Sequence, residues 1–170
     1  MIIRRELPAD RSTARAIHVA AFPSVAGDEP VEAHLLDELR ACDGWLPAFS
    51  LVAEIEGRVV GHNVCTRGFV DGVPALGLGP IAVQPALQRS GVGLALMHAM
   101  IGAADACDEP LIALLGSPLY YGRFGFVASQ TVGIAPPEAS WGHHFQVRLL
   151  TACPHGLTGT FRYATPFEAL

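Results

Sequence analysis

One stretch of the chain has residue types and spacing that could do chemistry on a phosphorylated ligand: Gln88-Arg89-Ser90-Gly91-Val92-Gly93. It is a polar, glycine-containing turn between an apolar run (Leu76 to Val83, closed by Gln84-Pro85) and an apolar helical pattern. A helix that opens directly from such a turn leaves its first backbone N–H groups without partners, and its dipole adds partial positive charge there. That combination accepts a phosphate or pyrophosphate. Gly91 and Gly93 lack a Cβ, so the backbone can approach an anion closely and take a positive φ. No Gly-Lys-Ser/Thr follows, so the turn is not a P-loop. The residue three positions after Gly93 is Leu96, so it is not the dinucleotide fingerprint either. His143-His144 would be the other place to look for chemistry. Adjacent strand residues point to opposite faces, and no partner at ligand spacing follows, so no metal is expected.

The elements that must hold the turn can be read in chain order. Ile2 to Arg5 predicts a strand, and Leu7-Pro8-Ala9-Asp10 opens a helix with Ala14, Ile17 and Ala21 on one face. A second helix starts near Pro30, with Val31, Leu35, Leu36 and Leu39 apolar, and ends by Gly44. Leu51 to Ile55 and Val59 to Thr66 form a hairpin through Glu56-Gly57, and Asp71-Gly72 turns into the strand containing Leu76 to Val83. The helix after the turn spans roughly Gly91 to Ala104, with Met97 and Met100 as core residues. Leu111 to Leu115 suits a strand covered on both faces. After a short helix near Tyr120, Phe126 to Ile134 and Phe145 to Leu150 are expected as the last strands. The segment after Thr151 has turn chemistry, little periodicity and no sign of a second domain. The element order predicts one mixed α/β sheet.

Composition limits the partners. The chain has 170 residues, of which 51% are hydrophobic and 16% charged, as expected of a single well-packed domain. A net charge of −5 argues against nucleic acid. Cys42, Cys65, Cys107 and Cys153 are widely spaced and read as free thiols of a reducing compartment. No run approaches the roughly 20 apolar residues of a membrane span, and Met1 to Glu6 is charged too early for a signal peptide. A cytoplasmic protein without membrane partners is the expectation.

The pattern resembles the GNAT superfamily of acyl-CoA-dependent N-acetyltransferases. Gln88 to Gly93 is similar to its Q/R-x-x-G-x-G/A pyrophosphate loop. Pro118-Leu119-Tyr120-Tyr121-Gly122-Arg123-Phe124-Gly125-Phe126 is similar to its Y-x-x-x-G-F segment, in the Y-Y-x-R-F-G-F form of a small bacterial branch. The likeness covers roughly residues 1 to 150. It implies the acyl-CoA N-acyltransferase fold, a mostly antiparallel α+β sheet of about seven strands with about four helices. It also implies acetyl-CoA as co-substrate. The backbone of Ile81, Ala82 and Val83 would then hold pantetheine and acyl group, and the N–H groups of Arg89, Ser90, Gly91, Val92, Gly93 and Leu94 the pyrophosphate, with Gln88 beside them. An amine attacks the thioester directly, and a backbone N–H near Val83 meets the developing oxyanion. The departing thiolate needs a proton. A phenol with a reference pKa near ~10 can supply it, and the spacing to Gly125-Phe126 selects Tyr121. Tyr120 points about 100° away and is expected in the aromatic core or rim. Arg123 is expected in a structural ion pair.

The acceptor, a small-molecule or peptide amine, would be chosen by Phe22 to His34 and Pro136 to His144. Asp28, Glu29 and Glu32 in the first segment suit a cationic amine. Candidates for the group that deprotonates the amine are His62, Glu54, Asp28 and Glu29. A homodimer through the last strands is what the family implies. Two other readings stand beside this one: an acyl-CoA-binding domain without turnover, and a dinucleotide oxidoreductase. The second would need its glycine turn after the first strand, not the fourth.

Overall fold

A computed structural model describes residues 1–24 and 28–169. Nine strands and four α-helices follow one another as β1 (Ile2–Arg5), α1 (Arg11–Ala21), α2 (Val31–Ala41), β2 (Trp45–Ile55), β3 (Arg58–Val70), β4 (Val73–Val83) and α3 (Val92–Ala106). Then come β5 (Leu111–Leu115), α4 (Pro118–Tyr121), β6 (Val127–Ala128), β7 (Ile134–Ala135), β8 (Phe145–Leu149) and β9 (Gly159–Arg162). The sheet runs β1-β2-β3-β4-β5-β8-β6, with β9 added against β3 and β7. Ladders β1–β2, β2–β3 and β3–β4 are antiparallel, so the expected meander forms. The acyl-CoA N-acyltransferase fold is the result.

Two features of this sheet set up the site. The parallel β4–β5 ladder has only two residue pairs, Leu76 with Ile112 and Gly77 with Ala113. The β5-facing edge of β4 from Leu78 to Val83 is therefore left without a ladder partner. In the β3–β4 ladder, Asn63 pairs with Ile81 and Cys65 with Leu78, so Gly79 and Pro80 stand opposite Val64 alone. That extra residue is a bulge, which bends the strand just where it leaves β5.

The core explains why α3 lies where it does. Leu96, Met97, Met100 and Ala104 are buried along one face of α3 against Leu76, Leu78, Ile112 and Leu114. Both methionines are core, as their spacing predicts. On α2, Leu35, Leu36 and Leu39 are buried, whereas Val31 is exposed and Ala33 takes its place at the interface.

The C-terminal third departs from the sequence expectation. Phe126 to Ile134 is not one strand. Ser129–Val132 forms a 3-10 turn, and Gly133 at φ +79° reverses the chain between β6 and β7. The segment after Thr151 contains β9, whose Phe161 and Arg162 pair with Val70 and Phe69 of β3. Phe161 is fully buried with Phe145, Val147 and Ile134 in a second core. The missed signal is on the partner strands. A Cβ at Gly68 would lie 2.6 Å from the Phe161 ring, and one at Gly77 2.5 Å from the Tyr163 ring. Glycine within a strand marks close approach, and here the approaching groups are aromatics from the tail.

Candidate active site

β4 ends at Val83, and the chain turns at once. The Gln84 N–H donates to Val60 O (2.9 Å), and the Gln88 side-chain amide donates to Val83 O (3.2 Å). The Ser90 hydroxyl donates to Leu87 O at 2.6 Å. Gln88 and Ser90 thus tie the turn to itself with their side chains. Arg89 (φ +63°) and Gly91 (φ +93°) are left-handed, and α3 begins at Val92 with its side chain buried. A Cβ on Gly91 would meet nothing within 4 Å, whereas one on Gly93 would sit 3.0 Å from the Tyr120 hydroxyl. The N-terminus of α3 therefore opens on free space on one side and is closed by Tyr120 on the other. That space is a cavity of about 640 Å³ running from Ile81, Ala82 and Val83 past Arg89 and Gly93 to Leu94 and Arg123. Unpaired N–H groups, a helix N-terminus and two guanidinium groups in one cleft suit a diphosphate, with the free edge of β4 alongside for an amide-bearing chain.

The two tyrosines separate onto two sides. Their rings meet edge to face, with centroids 4.9 Å apart. Tyr120 packs partly buried against the core beside Phe124, as expected of an aromatic rim residue, and it also lines the glycine-turn cavity. Arg123 departs from expectation. Among the described residues it makes no ion pair; its guanidinium lies 5.0 Å over the Tyr120 ring and donates to Leu119 O. The 3-10 turn after α4 carries it toward the cavity, where among the described residues no carboxylate lies within bridging distance.

Tyr121 packs on Gly116, where any Cβ would overlap its ring, and 6.0 Å from Phe126. Burial, and then the neighbouring Tyr120, push its phenol up to about 12. It keeps its proton at neutral pH.

Tyr121 and Ile81 face a second cavity, of about 520 Å³. Phe22, from the end of α1, and Leu35 of α2 form one wall; Trp141, Tyr163 and Phe167 form another. Glu32 is the one charged side chain lining it among the described residues. The two segments expected to choose an acceptor thus contribute Phe22, Glu32 and Trp141, although part of the first (residues 25–27) lies outside the described residues. Tyr163 and Phe167 belong to the tail and were not legible as site residues. His143 and His144 lie in a 3-10 segment (Ala139–His144) rather than a strand, so their rings meet, tilted, at 4.2 Å instead of pointing to opposite faces, and they do not line this cavity.

The candidate bases are not brought together with Tyr121. Glu54 is held by Arg4 (2.8 Å), Glu29 by Arg15 (2.5 Å), and Asp28 is exposed. His62 is fully buried in a polar chain. His18 Nε2 lies 2.9 Å from His62 Nδ1, and His62 Nε2 lies 2.9 Å from Ser50 Oγ. Ser50 in turn donates to Glu6 at 2.8 Å, and Glu6 is ion-paired to Arg40. One tautomer set satisfies this chain: His18 Nε2–H donates to His62, and His62 Nε2–H donates to Ser50. In this set both imidazoles are neutral, and His18 Nδ1 has no partner among the described residues. Burial drives both below the ordinary histidine range, His18 to about 4, with the Arg40 charge acting in the same direction.

The profile of the acetyltransferase (GNAT) family matches residues 12–126. The uncharacterized N-acetyltransferase YjhQ of Escherichia coli K12 is 33% identical over 94% of this chain and 90% of its own length. The crystal structure of the GNAT family N-acetyltransferase YhbS from E. coli, in complex with CoA, superposes with a TM-score of 0.84 at 26% identity, covering 98% of this chain and 91% of that one. A GNAT family acetyltransferase from Brucella melitensis, in complex with acetyl-CoA, gives 0.77 at 30% identity, covering 98% and 97%.

Proposed function

The chain belongs to the acetyltransferase (GNAT) family and is an acetyl-CoA-dependent N-acetyltransferase; we propose that it acetylates a primary amine of a small molecule or peptide by direct attack, with Tyr121 as general acid. The observation that carries this reading is the meeting of the two cavities at Ile81, with the Tyr120–Tyr121 pair between them. In it, the main-chain N–H groups from Arg89 to Leu94 hold the diphosphate of acetyl-CoA, and the unpaired edge of Ile81 to Val83 holds the pantetheine amides. The thioester then lies at the junction. An amine arriving from the second cavity forms the new C–N bond as the C–S bond breaks. The thiolate takes its proton from the Tyr121 hydroxyl, which burial keeps protonated, and the proton shed by the amine nitrogen passes to solvent, from which the phenolate is reprotonated. A backbone N–H near Val83 stabilises the oxyanion. The whole chain works as one acetyltransferase domain, since β9 and the residues after it complete both the sheet and the acceptor cavity. A cytoplasmic location agrees with four free thiols. Among the described residues, no helix is long and apolar enough to cross a membrane.

Calorimetric titration with acetyl-CoA, wild type beside Gly91→Trp, tests the binding half. A tryptophan fills the open space in front of α3, and binding should disappear. Tyr121→Phe tests the chemical half. A lost general acid lowers kcat by ~10²–10⁴-fold while acetyl-CoA affinity stays within about threefold. Wild-type turnover by Tyr121→Phe would remove the phenol from the mechanism. Binding without turnover of any amine would leave a non-catalytic acyl-CoA-binding domain.

A further inference from the structure

The second cavity has a composition that selects its ligand. Its walls are aromatic and aliphatic: Phe22, Leu35, Trp141, Tyr163 and Phe167, with Pro80 and Leu115 toward β4 and β5. Tyr163 and Phe167 pack at 4.5 Å with an interplanar angle of 31°, and Trp141 meets Tyr163 edge to face at 6.3 Å. Glu32, in the first turn of α2 and partly buried, is the one carboxylate there among the described residues, and no lysine or arginine lines the space. A cavity of about 520 Å³ with mostly apolar walls and one fixed charge accommodates a compact molecule with one cationic end.

Several acceptor classes fit poorly. A polyamine or an aminoglycoside would bring several ammonium groups to a site with one carboxylate and bury the remainder against aromatic rings without partners. A peptide would bring a run of amide donors and acceptors against side-chain walls that are mostly apolar away from the β4 edge. An amine on an aromatic or bulky aliphatic body meets each surface with its match, and its ammonium is drawn by Glu32 and by the faces of the aromatic rings.

We propose that the acceptor is a small primary monoamine with an aromatic or bulky apolar body, seated between Phe22, Trp141 and Phe167 with its ammonium form recruited by Glu32. This rests on the acetyltransferase reading above and specifies the substrate of that same site.

The experiment compares thiol release from acetyl-CoA with 2-phenylethylamine, tryptamine, spermidine, an aminoglycoside and a lysine peptide. Acetyl-CoA binding is measured by calorimetry on the same protein. The aryl amines should exceed the others in kcat/KM by tenfold or more. Glu32→Gln should raise the KM for the aryl amine about tenfold and leave acetyl-CoA affinity unchanged. Phe167→Ala should cut the preference for the aryl amine over spermidine, a readout that a general loss of folding would not give. Equal or better use of spermidine, aminoglycoside or peptide overturns the proposal while the acetyltransferase reading stands. So does tight acetyl-CoA binding with no turnover of either aryl amine. Failure to bind acetyl-CoA would instead strike the underlying reading and the proposal together, and the calorimetry separates the two cases.

Discussion

Acidification from pH 7 to 5 should destabilise this protein through His18 and His62. Both rings are fully buried, each at 0% exposure, and the hydrogen-bond chain to Ser50 and Glu6 is satisfied with both neutral. The charged and titratable groups around them are Arg40, whose charge opposes protonation, and Glu6, which Arg40 already neutralises. For His18 the folded value is about 4, against 6.5 in an unfolded chain. A base with a depressed folded-state pKa binds fewer protons folded than unfolded. Its stabilising contribution is complete above pH 6.5 and is lost as pH falls from there toward 4. At ~1.36 kcal/mol per tenfold in proton affinity the full loss is about 3 kcal/mol, of which about 2 kcal/mol has gone by pH 5. His62 adds a loss of the same sign. For a chain of this size each kcal/mol corresponds to ~2–4 °C in melting temperature, so the midpoint should fall by about 4–8 °C from His18 alone. Thermal melts at constant ionic strength between pH 7.5 and 5 measure this. In His18→Phe, which keeps a ring against Phe22 but cannot be protonated, the midpoint at pH 7.5 should be lower and the slope between pH 7 and 5 shallower. Nitrogen chemical shifts of the two imidazoles report the tautomers directly. A flat wild-type profile, or an unchanged slope in His18→Phe, would refute the neutral-pair argument.

Two further substitutions test the packing that places the site. Gly116→Ala puts a methyl group into the Tyr121 ring; kcat should drop at least ~10-fold, with acetyl-CoA affinity within about threefold, because a displaced acid loses its alignment but not the diphosphate turn. Full kcat in steady-state assays would mean that the ring's position is immaterial. Phe161→Ala empties the second core and should cost ~3–5 kcal/mol, read as the shift in a denaturant midpoint. An unchanged midpoint would show β9 to be a passive addition to the sheet.

The contrast between what was legible and what was not follows from the range over which each residue acts. The glycine turn was legible because its whole function is local. A strand that stops at Pro85, two glycines and an apolar helix leave unpaired N–H groups wherever they occur. Tyr121 was legible only through the resemblance, since nothing in Tyr120-Tyr121 by itself says which ring will face Ile81. In the structure Tyr121 lies on Gly116, 5 positions upstream, and lines the second cavity, while Tyr120 lies toward Gly93 in the first; Ile81 borders both. The acceptor wall was least legible. Tyr163 and Phe167 act across 80 or more residues of sequence on Gly77 and Pro80. Their signature is split between glycines in β3 and β4 and aromatics in a tail without periodicity. His62 shows the same limit from the other side. A lone histidine on a strand invites a catalytic reading, but its partners His18, Ser50 and Glu6 come from three other segments and use up the nitrogens that a base would need. Residues proposed to bind acetyl-CoA through main chain are therefore readable from adjacent sequence. Those proposed to choose the amine come from α1, α2 and the C-terminal aromatics, so on this reading acceptor specificity can change through residues far from the glycine turn without disturbing how acetyl-CoA is held.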